Sequence, residues 1–586
     1  MQPTTDSPGA HWRALLTLNL LALLGLLAYL GWQMRPVAMH DLHLEDGERL
    51  QCVSYAPFRL PGQTPFDADL RISRAQIAAD LAELARISAC VRTYSVDQGL
   101  EQVPEVAREH GLKVLLGAWI GADAARNAAQ LDTAIALANA HPDVVDVLIV
   151  GNEVLLRRER TAAEMRALLD DARTRAQVPV TYADVWEFWL QNRELAAAVD
   201  RVTVHILPFW EDHPVGIDDA VDHVGSVLAE VRAAFDKPVM IGETGWPSAG
   251  RQRQAARPAQ VNQARFIREF VHRAHLEGWH YNLIEAIDQP WKRRLEGTVG
   301  GHWGMLSAQL EAKFPLAGTV AERNGVLAPA FAAVVGALLC LVLARMSHTF
   351  PTAGADTLAV ARRTRSRRLD VVSATPSAPL APCGAPRRRL GTLVTCLGET
   401  CGLATGGATR RLAAASGGAA GGMIVVLHGE HALQAYRSGL EWAVLGTVAL
   451  LGALLPVTLA RWSGTGRAPA FATLWSAMQH PATAALRAFS VLRAALLFAA
   501  AVAALLLAFD PRYRDFPLWL YALPSLYAGI AAWWLADNGR EERICAAVIA
   551  AAALLRWSTE PFNPQACAWL LCALALAAPA LRRRGA

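Results

Sequence analysis

The sequence has few charged residues for its length, and their signs nearly cancel. Of its 586 residues, 18% are charged, with 56 basic against 52 acidic and a formal net charge of +4. This balance excludes a strongly basic nucleic-acid binder and an acidic disordered chain, so we expect no nucleic-acid partner. Soluble domains carry about 25% charged residues. The deficit, together with 53% hydrophobic residues, indicates membrane segments, and the length indicates more than one domain.

Cysteine is also sparse, and the nine cysteines do not form a disulfide framework. Cys396 and Cys401 have no metal-ligand partners nearby. Cys52 and Cys90 each open a predicted strand, and these strands would be neighbours. The sequence allows a disulfide between them or two buried thiols, and we favour the thiols. We expect neither a metal ion nor a cofactor.

Long apolar runs lie at the N-terminus and in the second half of the chain. Residues 14–31 carry no charge and are long enough to cross a bilayer as one helix. We interpret them as an uncleaved anchor, because no small-x-small cleavage site follows. Residues 40–320 have the composition of a soluble protein. The later candidate spans are 327–344, 439–460, 488–509, 516–536, 543–557 and 566–581, with a weaker one at 412–428.

These runs predict five regions. Their bounds are 1–35 (N-terminal tip and anchor), 36–322 (soluble domain), 323–346 (one transmembrane helix), 347–411 (a basic low-complexity linker) and 412–586 (a multi-span region).

Arginine placement predicts the orientation in the membrane. Arg345 and two arginine clusters, at 362–368 and 387–389, follow the 327–344 span, and such residues favour the cytoplasmic side. The soluble domain would then be periplasmic, in the inner membrane of a bacterium. Arg582, Arg583 and Arg584 also favour the cytoplasm, and the weak 412–428 span would give the even number of crossings that they require.

The soluble region alternates short apolar strands with amphipathic helices. The eight strands are predicted at 52–57, 90–95, 114–120, 147–153, 178–184, 202–209, 238–246 and 281–288. Continuous apolar runs are typical of parallel strands buried on both faces. Eight repeats in about 250 residues predict a (β/α)8 TIM barrel. The fold class is therefore α/β, followed by an all-α multi-span membrane region. The alternative is a doubly wound sheet, but no Gly-rich phosphate loop follows the first strand.

Polar side chains follow the predicted strands, where a barrel of this kind places its active site. Glu153 ends strand four and Glu243 ends strand seven. Two carboxylates across a barrel mouth are the pair that glycoside hydrolysis requires. Tryptophans at or after strand ends would stack on sugar rings. They are Trp119, Trp186, Trp189, Trp210, Trp246, Trp291 and Trp303.

Several motifs resemble the family 17 glycoside hydrolases, which are β-1,3-glucanases and glucanosyltransferases. The match runs over roughly 50–310 with the motifs in the family's order. They are VSYAPFR (53–59), VRTYS (91–95), VGNEV (150–154), IGETGWPS (241–248), EAIDQPWK (285–292) and EGTVGGHWGML (296–306).

This resemblance implies roles for individual residues. Glu153 would be the general acid/base and Glu243 the nucleophile, with the carboxyl groups about 5–5.5 Å apart as in retaining enzymes. Asn152 would hold the sugar 2-OH, and Glu285 with Lys292 would be a supporting pair. Tyr55, Arg92 and Tyr94 match positions that line the subsite or support the nucleophile. Tyr182, His205 and Trp246 are further substrate-binding candidates because they lie at predicted strand ends. His205 departs from the tyrosine-containing strand-six pattern of plant members.

The expected partners are a β-glucan and the lipid bilayer. The reaction would be hydrolysis or transfer, and the sequence leaves both open. The membrane half resembles bacterial inner-membrane proteins linked to β-glucan production, so an alternative role is an accessory subunit of a glucan synthase. A processive synthase in this chain itself is disfavoured, because the cytoplasmic segments contain no nucleotide-sugar domain. A non-catalytic glucan-binding scaffold is disfavoured by the glutamate pair.

Overall fold

The computed structural model describes residues 8–42, 49–346, 391–474 and 483–582, with the side chains of residues 8–9 and 391–406 excepted. Most of the predicted linker 347–411, including both arginine clusters, therefore lies outside the described residues, as do Arg583 and Arg584. The side chains of Cys396 and Cys401 are likewise outside. Residues 391–411 lie at the start of the helix Gly391–Ala435.

The soluble region is a closed barrel of eight parallel strands in sequential order, which confirms the predicted (β/α)8 fold. The strands are β1 (Val53–Ser54), β2 (Cys90–Arg92), β3 (Lys113–Ala118), β4 (Val145–Asn152), β5 (Val180–Val185), β6 (Val202–His205), β7 (Val239–Thr244) and β8 (His280–Leu283). β1 pairs with both β2 and β8, so the sheet has no edge.

Helices surround the barrel. Their bounds are Arg74–Leu84, Val103–Glu109, Ala124–Ala140, Ala162–Arg175, Trp186–Gln191, Ala220–Ala234, Gln260–Glu277 and Arg293–Glu296. Side-chain caps fix several of their starts. Ser73 accepts a hydrogen bond from the Gln76 N–H, and Thr161 with Glu164 forms a capping box.

Cys52 and Cys90 form a disulfide inside the barrel, so the favoured interpretation of two buried thiols was wrong. The register pairs Val53 with Val91, which places the preceding cysteines opposite each other with Cα atoms 4.3 Å apart. Both cysteines are buried with apolar side chains from β3, β4, β5 and β7.

The second half of the described chain is a bundle of helices. These are Leu327–Met346, Gly391–Ala435, Gly439–Ala460, Ala484–Phe509, Leu518–Pro524, Ala532–Leu535, Arg540–Thr559 and Pro564–Leu581, joined by the N-terminal helix Pro8–Gln33. A π-helical segment, Ser525–Ile530, connects the two short helices into one rod, 518–535.

Among the described residues, seven helices are long and apolar enough to cross a membrane. They include the weakly predicted 412–428 region, here Gly407–Ala435, but not the predicted 543–557 span. The helix Arg540–Thr559 over that span carries four charged residues in its first turn and Arg556 near its end. The mean hydropathy of the helix Gly407–Ala435 is low for a span because it is rich in glycine and alanine, small residues that let it pack inside the bundle. A Cβ atom added at Gly418 would lie 2.1 Å from the Gly336 carbonyl oxygen.

The barrel is attached to the bundle at two adjacent points. The chain leaves the first helix at Gln33 and returns to the bundle at Leu327. Between these points Val37 and Val320 form a β-bridge, and the Arg323 N–H donates to the Gln33 carbonyl over 3.1 Å. The two segments that connect the barrel to the helices are therefore bonded to each other beside the barrel.

Candidate active site

The predicted glutamate pair lies at the mouth formed by the C-terminal ends of the strands. Glu153 directly follows β4, and Glu243 lies near the end of β7. One carboxylate oxygen of each residue and a ring nitrogen of His205 all lie within 4.8 Å of one another. The structure thus brings together residues that are far apart in the sequence.

Glu243 is held by a buried cation and a phenol. Its Oε1 accepts hydrogen bonds from Arg92 Nη1 at 3.1 Å and from the Tyr94 hydroxyl at 2.8 Å. Arg92 is fully buried and also donates to the Gly242 carbonyl and to Asn152 Oδ1. Burial, and then the charge of Glu243, raise the pKa of Tyr94 well above its usual value, so Tyr94 stays a donor. These two donors hold one oxygen of the Glu243 carboxylate in place.

Glu153 lies in a tight backbone turn and is more open to solvent. Its φ of 53° is left-handed, which is uncommon outside glycine, and it follows Gly151, whose φ is 83°. Its N–H donates to the Ala183 carbonyl on β5. The Glu153 side chain is 23% exposed, against 6% for Glu243. The two carboxyl groups therefore share one mouth but have different surroundings.

His205 lies between the two glutamates. Its Nδ1 is 3.0 Å from Glu153 Oε1, and its Nε2 is 3.4 Å from Arg92 Nη1. Arginine only donates, so Nε2 must accept and Nδ1 carries the proton that is donated to Glu153. Burial raises the pKa of Glu153, but the His205 hydrogen bond and the positive charges of Arg157 and Arg92 bring that pKa below its usual value.

A second charged group follows β8. Lys292 Nζ donates to Glu285 Oε2 over 3.0 Å. Burial raises the pKa of Glu285 to about 7, although Lys292 opposes the shift. Glu296 lies close enough to be affected by the same lysine and by both Glu153 and Glu243, and burial raises its pKa.

Glu296, Ser54 and Asn282 extend the predicted site. Ser54 Oγ is 2.8 Å from the Tyr94 hydroxyl and accepts from Asn282 Nδ2 at 2.8 Å. Asn282 also donates to the Gly242 carbonyl. Glu296 stands in the motif at 296–306, but position in the chain alone could not show which of the carboxylates after β8 is buried beside Lys292.

Three predicted substrate-binding residues are bonded elsewhere in the structure. The Tyr55 hydroxyl donates to Asp80, and Tyr182 donates to Asp184. Trp246 is fully buried and donates to the Arg257 carbonyl. These side chains support strand ends, whereas Arg92, Tyr94, Asn152 and His205 surround the glutamates directly.

The tryptophans divide into two sets. Trp189, Trp246 and Trp303 are at most 3% exposed and belong to the barrel core. Trp119, Trp186, Trp210 and Trp291 are partly exposed. Only this second set has ring surface to offer a sugar.

Glu153, His205 and Glu243 are also the one group of three donors in the described residues that could hold a metal ion. The Arg92 guanidinium already lies 3.1 Å from Glu243 and 3.4 Å from His205 Nε2. A cation at the centre of the three donors would meet that fixed positive charge. The donor set therefore suits an acid–base pair better than a metal.

A closed (β/α)8 barrel with two close carboxylates at its mouth is the arrangement of a glycoside hydrolase. Comparison with known families agrees: residues 52–304 match the BtgE/BtgC glycoside hydrolase domain. This match confirms the resemblance to family 17 glycoside hydrolases that the motifs indicated.

The relatives are fungal proteins that share the barrel region. The chain is 29% identical over 242 residues to "Probable beta-glucosidase btgE" of Aspergillus flavus, covering 40% of this chain and 39% of that protein. It is 27% identical to "Glucan 1,3-beta-glucosidase" of Arthroderma benhamiae, covering 41% of this chain and 84% of that one. A solved Rhizomucor miehei β-1,3-glucanosyltransferase, an active-site mutant with laminaritriose, is 23% identical with a TM-score of 0.40, covering 47% of this chain and 98% of that one.

Proposed function

We propose that this protein is a retaining β-glucan glycosidase or transglycosylase that acts on β-1,3-glucan. The observation that carries the proposal is the close approach of Glu153 and Glu243, with one carboxylate oxygen of each residue within 4.8 Å of the other. Retaining pairs stand about 5–5.5 Å apart, whereas inverting pairs need about 6.5–9.5 Å to admit a water. The names of the relatives support β-1,3-glucan as the substrate class.

The surroundings of each glutamate suit one step of a double displacement. Glu243, ionised and held by Arg92 and Tyr94, attacks the anomeric carbon and forms a glycosyl-enzyme. Glu153 gives its proton to the departing glycosidic oxygen, so it must be protonated when substrate binds. A glucan that covers Glu153 and excludes water would raise its pKa toward that state.

In the second step Glu153 acts as the base. It takes a proton from the acceptor, which attacks the anomeric carbon and releases Glu243 with overall retention. Water as acceptor gives hydrolysis, and the hydroxyl of another glucan gives a longer or branched product. The Nδ1–H of His205 orients Glu153 through both steps.

We propose that the protein is a multi-pass inner-membrane protein of a bacterium with its barrel in the periplasm. The reason for this orientation is the high density of arginines after residue 344, which favours the cytoplasmic side for that segment. The Cys52–Cys90 disulfide supports an oxidising compartment for the barrel.

The order of the bundle's connections supports eight crossings. Connections at 430–437, 510–516 and 560–565 contact the barrel, whereas 467–471 contacts 536–542. The helix Arg540–Thr559 therefore begins beside the connection 467–471, away from the barrel, and ends at a connection that contacts the barrel. Its 20 residues span about 30 Å, the thickness of a bilayer core. With this helix included, both chain termini face the cytoplasm.

An accessory role in membrane glucan synthesis is a second candidate. The observation that favours it is the size of the helical half, which contains far more membrane-crossing helix than anchoring requires. In this role the barrel would branch, cyclise or bind glucan delivered by a synthase subunit.

The test is a product assay on the full chain in detergent with β-1,3-linked glucose oligomers. Shorter products with new reducing ends indicate a hydrolase, and longer products indicate a transferase. Products of retained anomeric configuration are expected, and inversion would contradict the proposal. Glu243→Gln is the matched control for contaminating activity. Binding without turnover would favour the accessory role.

A further inference from the structure

The mouth of the barrel is docked against the helical half of the same chain. The described contacts come from the loops after β7 and β8, which belong to the catalytic face. Arg251 donates to the Pro511 carbonyl and to Glu560, and Asn563 Nδ2 donates to the Gln252 carbonyl over 2.9 Å. The face that carries Glu153 and Glu243 is thus the face that the helices touch.

The segment 290–302, here called the β8 loop, is held from two sides. From one side Arg293 donates to the Gln434 carbonyl over 2.8 Å, and His302 Nε2 lies 3.4 Å from the same oxygen. From the other side Thr298 donates its hydroxyl proton to Asp515. Thr298 is only 4% exposed, so this bond is made inside the interface.

The connection 510–516, here called the outer loop, fits closely against the β8 loop. Gly297 has a φ of 74°, and a Cβ atom added there would lie 2.6 Å from the Tyr513 carbonyl oxygen. Only glycine allows this approach at this backbone conformation. The outer-loop backbone therefore rests directly on the residue that follows Glu296.

The same β8 loop carries charged side chains to the active site. Lys292 pairs with Glu285, and Glu296, four residues after Lys292, packs its side chain against Gly300 of the same loop. Thr298 and Gly297, which contact the outer loop, are adjacent to Glu296 in the chain. A shift of the outer loop would move Glu296 and Lys292 relative to Glu243.

We propose that the contact of Tyr513 and Asp515 with the β8 loop is a working part of the active site, with Asp515 as a positioning residue that holds the β8 loop for catalysis. The inference rests on the proposed glycosidase function. It extends that function, because the catalytic arrangement then depends on residues far outside the barrel sequence.

The test compares full-chain variants in detergent on β-1,3-linked glucose oligomers, with kcat expressed per active site from the burst of glycosyl-enzyme. Thr298→Val and Asp515→Ala should each lower kcat about tenfold while KM changes little, because misplaced catalytic groups cost rate rather than binding. The double variant should be no slower than either single variant, since both remove the same bond. Thr298→Ser keeps the hydroxyl and should restore wild-type kcat.

Asp510→Ala is the matched control. Asp510 lies in the same loop, is 68% exposed and pairs only with Arg514 among the described residues. This variant should keep wild-type kcat. Wild-type kcat in Thr298→Val and Asp515→Ala, multiplying losses in the double variant, or a Thr298→Ser variant as slow as Thr298→Val would each overturn the inference. An inactive wild type would instead contradict the proposed function.

Hydrogen exchange gives a readout that does not depend on activity. In Asp515→Ala the peptide covering 290–302 should exchange faster, while the β4 and β7 strands keep their protection. Unchanged exchange in that peptide, or faster exchange of the entire barrel, would show that Asp515 does not hold this loop specifically.

Discussion

Arg92 of the barrel and Arg493 of the helical half are both buried, but they bind different kinds of partner. In the barrel, Arg92 binds Glu243, Asn152 and the Gly242 carbonyl at once, so one of its partners is a carboxylate of the candidate catalytic pair. In the helical half, Arg493 donates to the Ala528 carbonyl, the Asp537 carbonyl and the Asn538 side chain. None of these three partners is charged.

The difference follows from the backbone around each arginine. Ala528 lies in the π-helical segment Ser525–Ile530, where the regular helical hydrogen-bond pattern is interrupted. Arg493 donates a hydrogen bond to the Ala528 carbonyl, which needs a partner because no water is available in an apolar environment. The buried charge of Arg92 therefore holds a candidate catalytic carboxylate, whereas the buried charge of Arg493 supports backbone structure.

The largest expected effect separates the two glutamates of the barrel. Glu243→Ala should lower kcat about 10⁴-fold or more on every substrate, because no nucleophile remains. Glu153→Ala should still form the glycosyl-enzyme from an activated aryl glucoside, which needs little protonation. Azide should then restore turnover and give the β-glycosyl azide.

Product analysis after azide addition checks this assignment. Glu243→Ala should give an α-azide, if any product, because azide then takes the nucleophile's place. Opposite anomers in the two variants would reverse the assigned roles. Identical behaviour of the two variants would contradict the assignment of distinct roles.

A smaller effect is expected from the barrel disulfide. Replacing Cys52 and Cys90 together by alanine should lower the free energy of unfolding by about 2–4 kcal/mol. Reductant should lower the thermal midpoint of the wild type and leave that of the double variant unchanged. Mass spectrometry that finds both cysteines alkylated without reduction would argue against the bond.

In the helical half, Arg493→Met should reduce stability without changing the chemistry. The Ala528 carbonyl would lose its donor, at a cost of about 1–3 kcal/mol in unfolding free energy. The thermal midpoint in detergent should fall, and kcat per active site should stay at the wild-type value. Arg461→Met, at an exposed arginine that ends a neighbouring helix, is the control and should change neither quantity. A drop in kcat for Arg493→Met would remove the contrast between the two halves.

The smallest effect concerns pH. His205 lowers the pKa of Glu153, so His205→Phe should raise that pKa. The alkaline limb of the kcat/KM profile, where Glu153 loses its proton, should then move to higher pH by up to about one unit, or about 1.4 kcal/mol.

His223→Phe is the control for the pH experiment. His223 lies 3.2 Å from Glu211, outside the catalytic pair, and its replacement should leave the limb in place. A limb that moves to lower pH in His205→Phe would mean that His205 does not donate to Glu153.

Much of the barrel was predictable because burial on both faces of a parallel strand leaves a continuous apolar run. The glutamates stood out because each follows such a run directly. Their hydrogen-bond partners were less accessible. Tyr55 and Tyr182 occupy strand ends like Tyr94, yet they bond Asp80 and Asp184, and only three-dimensional neighbours distinguish these cases.

The helical half shows the same limit in a different form. Hydropathy underrates a helix such as Gly407–Ala435, whose small residues permit close helix packing. The Cys52–Cys90 bond depended on strand register, which apolar patterning does not fix at single-residue precision. The docking of the outer loop on the β8 loop joins residues more than 200 positions apart. No local pattern reports such a contact.

The β-bridge between Val37 and Val320 joins the two connecting segments, and this would affect how a membrane-held glycosidase meets its substrate. Two tethers that share a β-bridge act as one short stem, so with the helices in a bilayer the barrel cannot swing outward on a flexible arm. Its mouth keeps a fixed height above the lipid. For a glycosidase held in this way, lateral diffusion in two dimensions would govern encounters with polymer, and only chains that reach the membrane surface would be substrates.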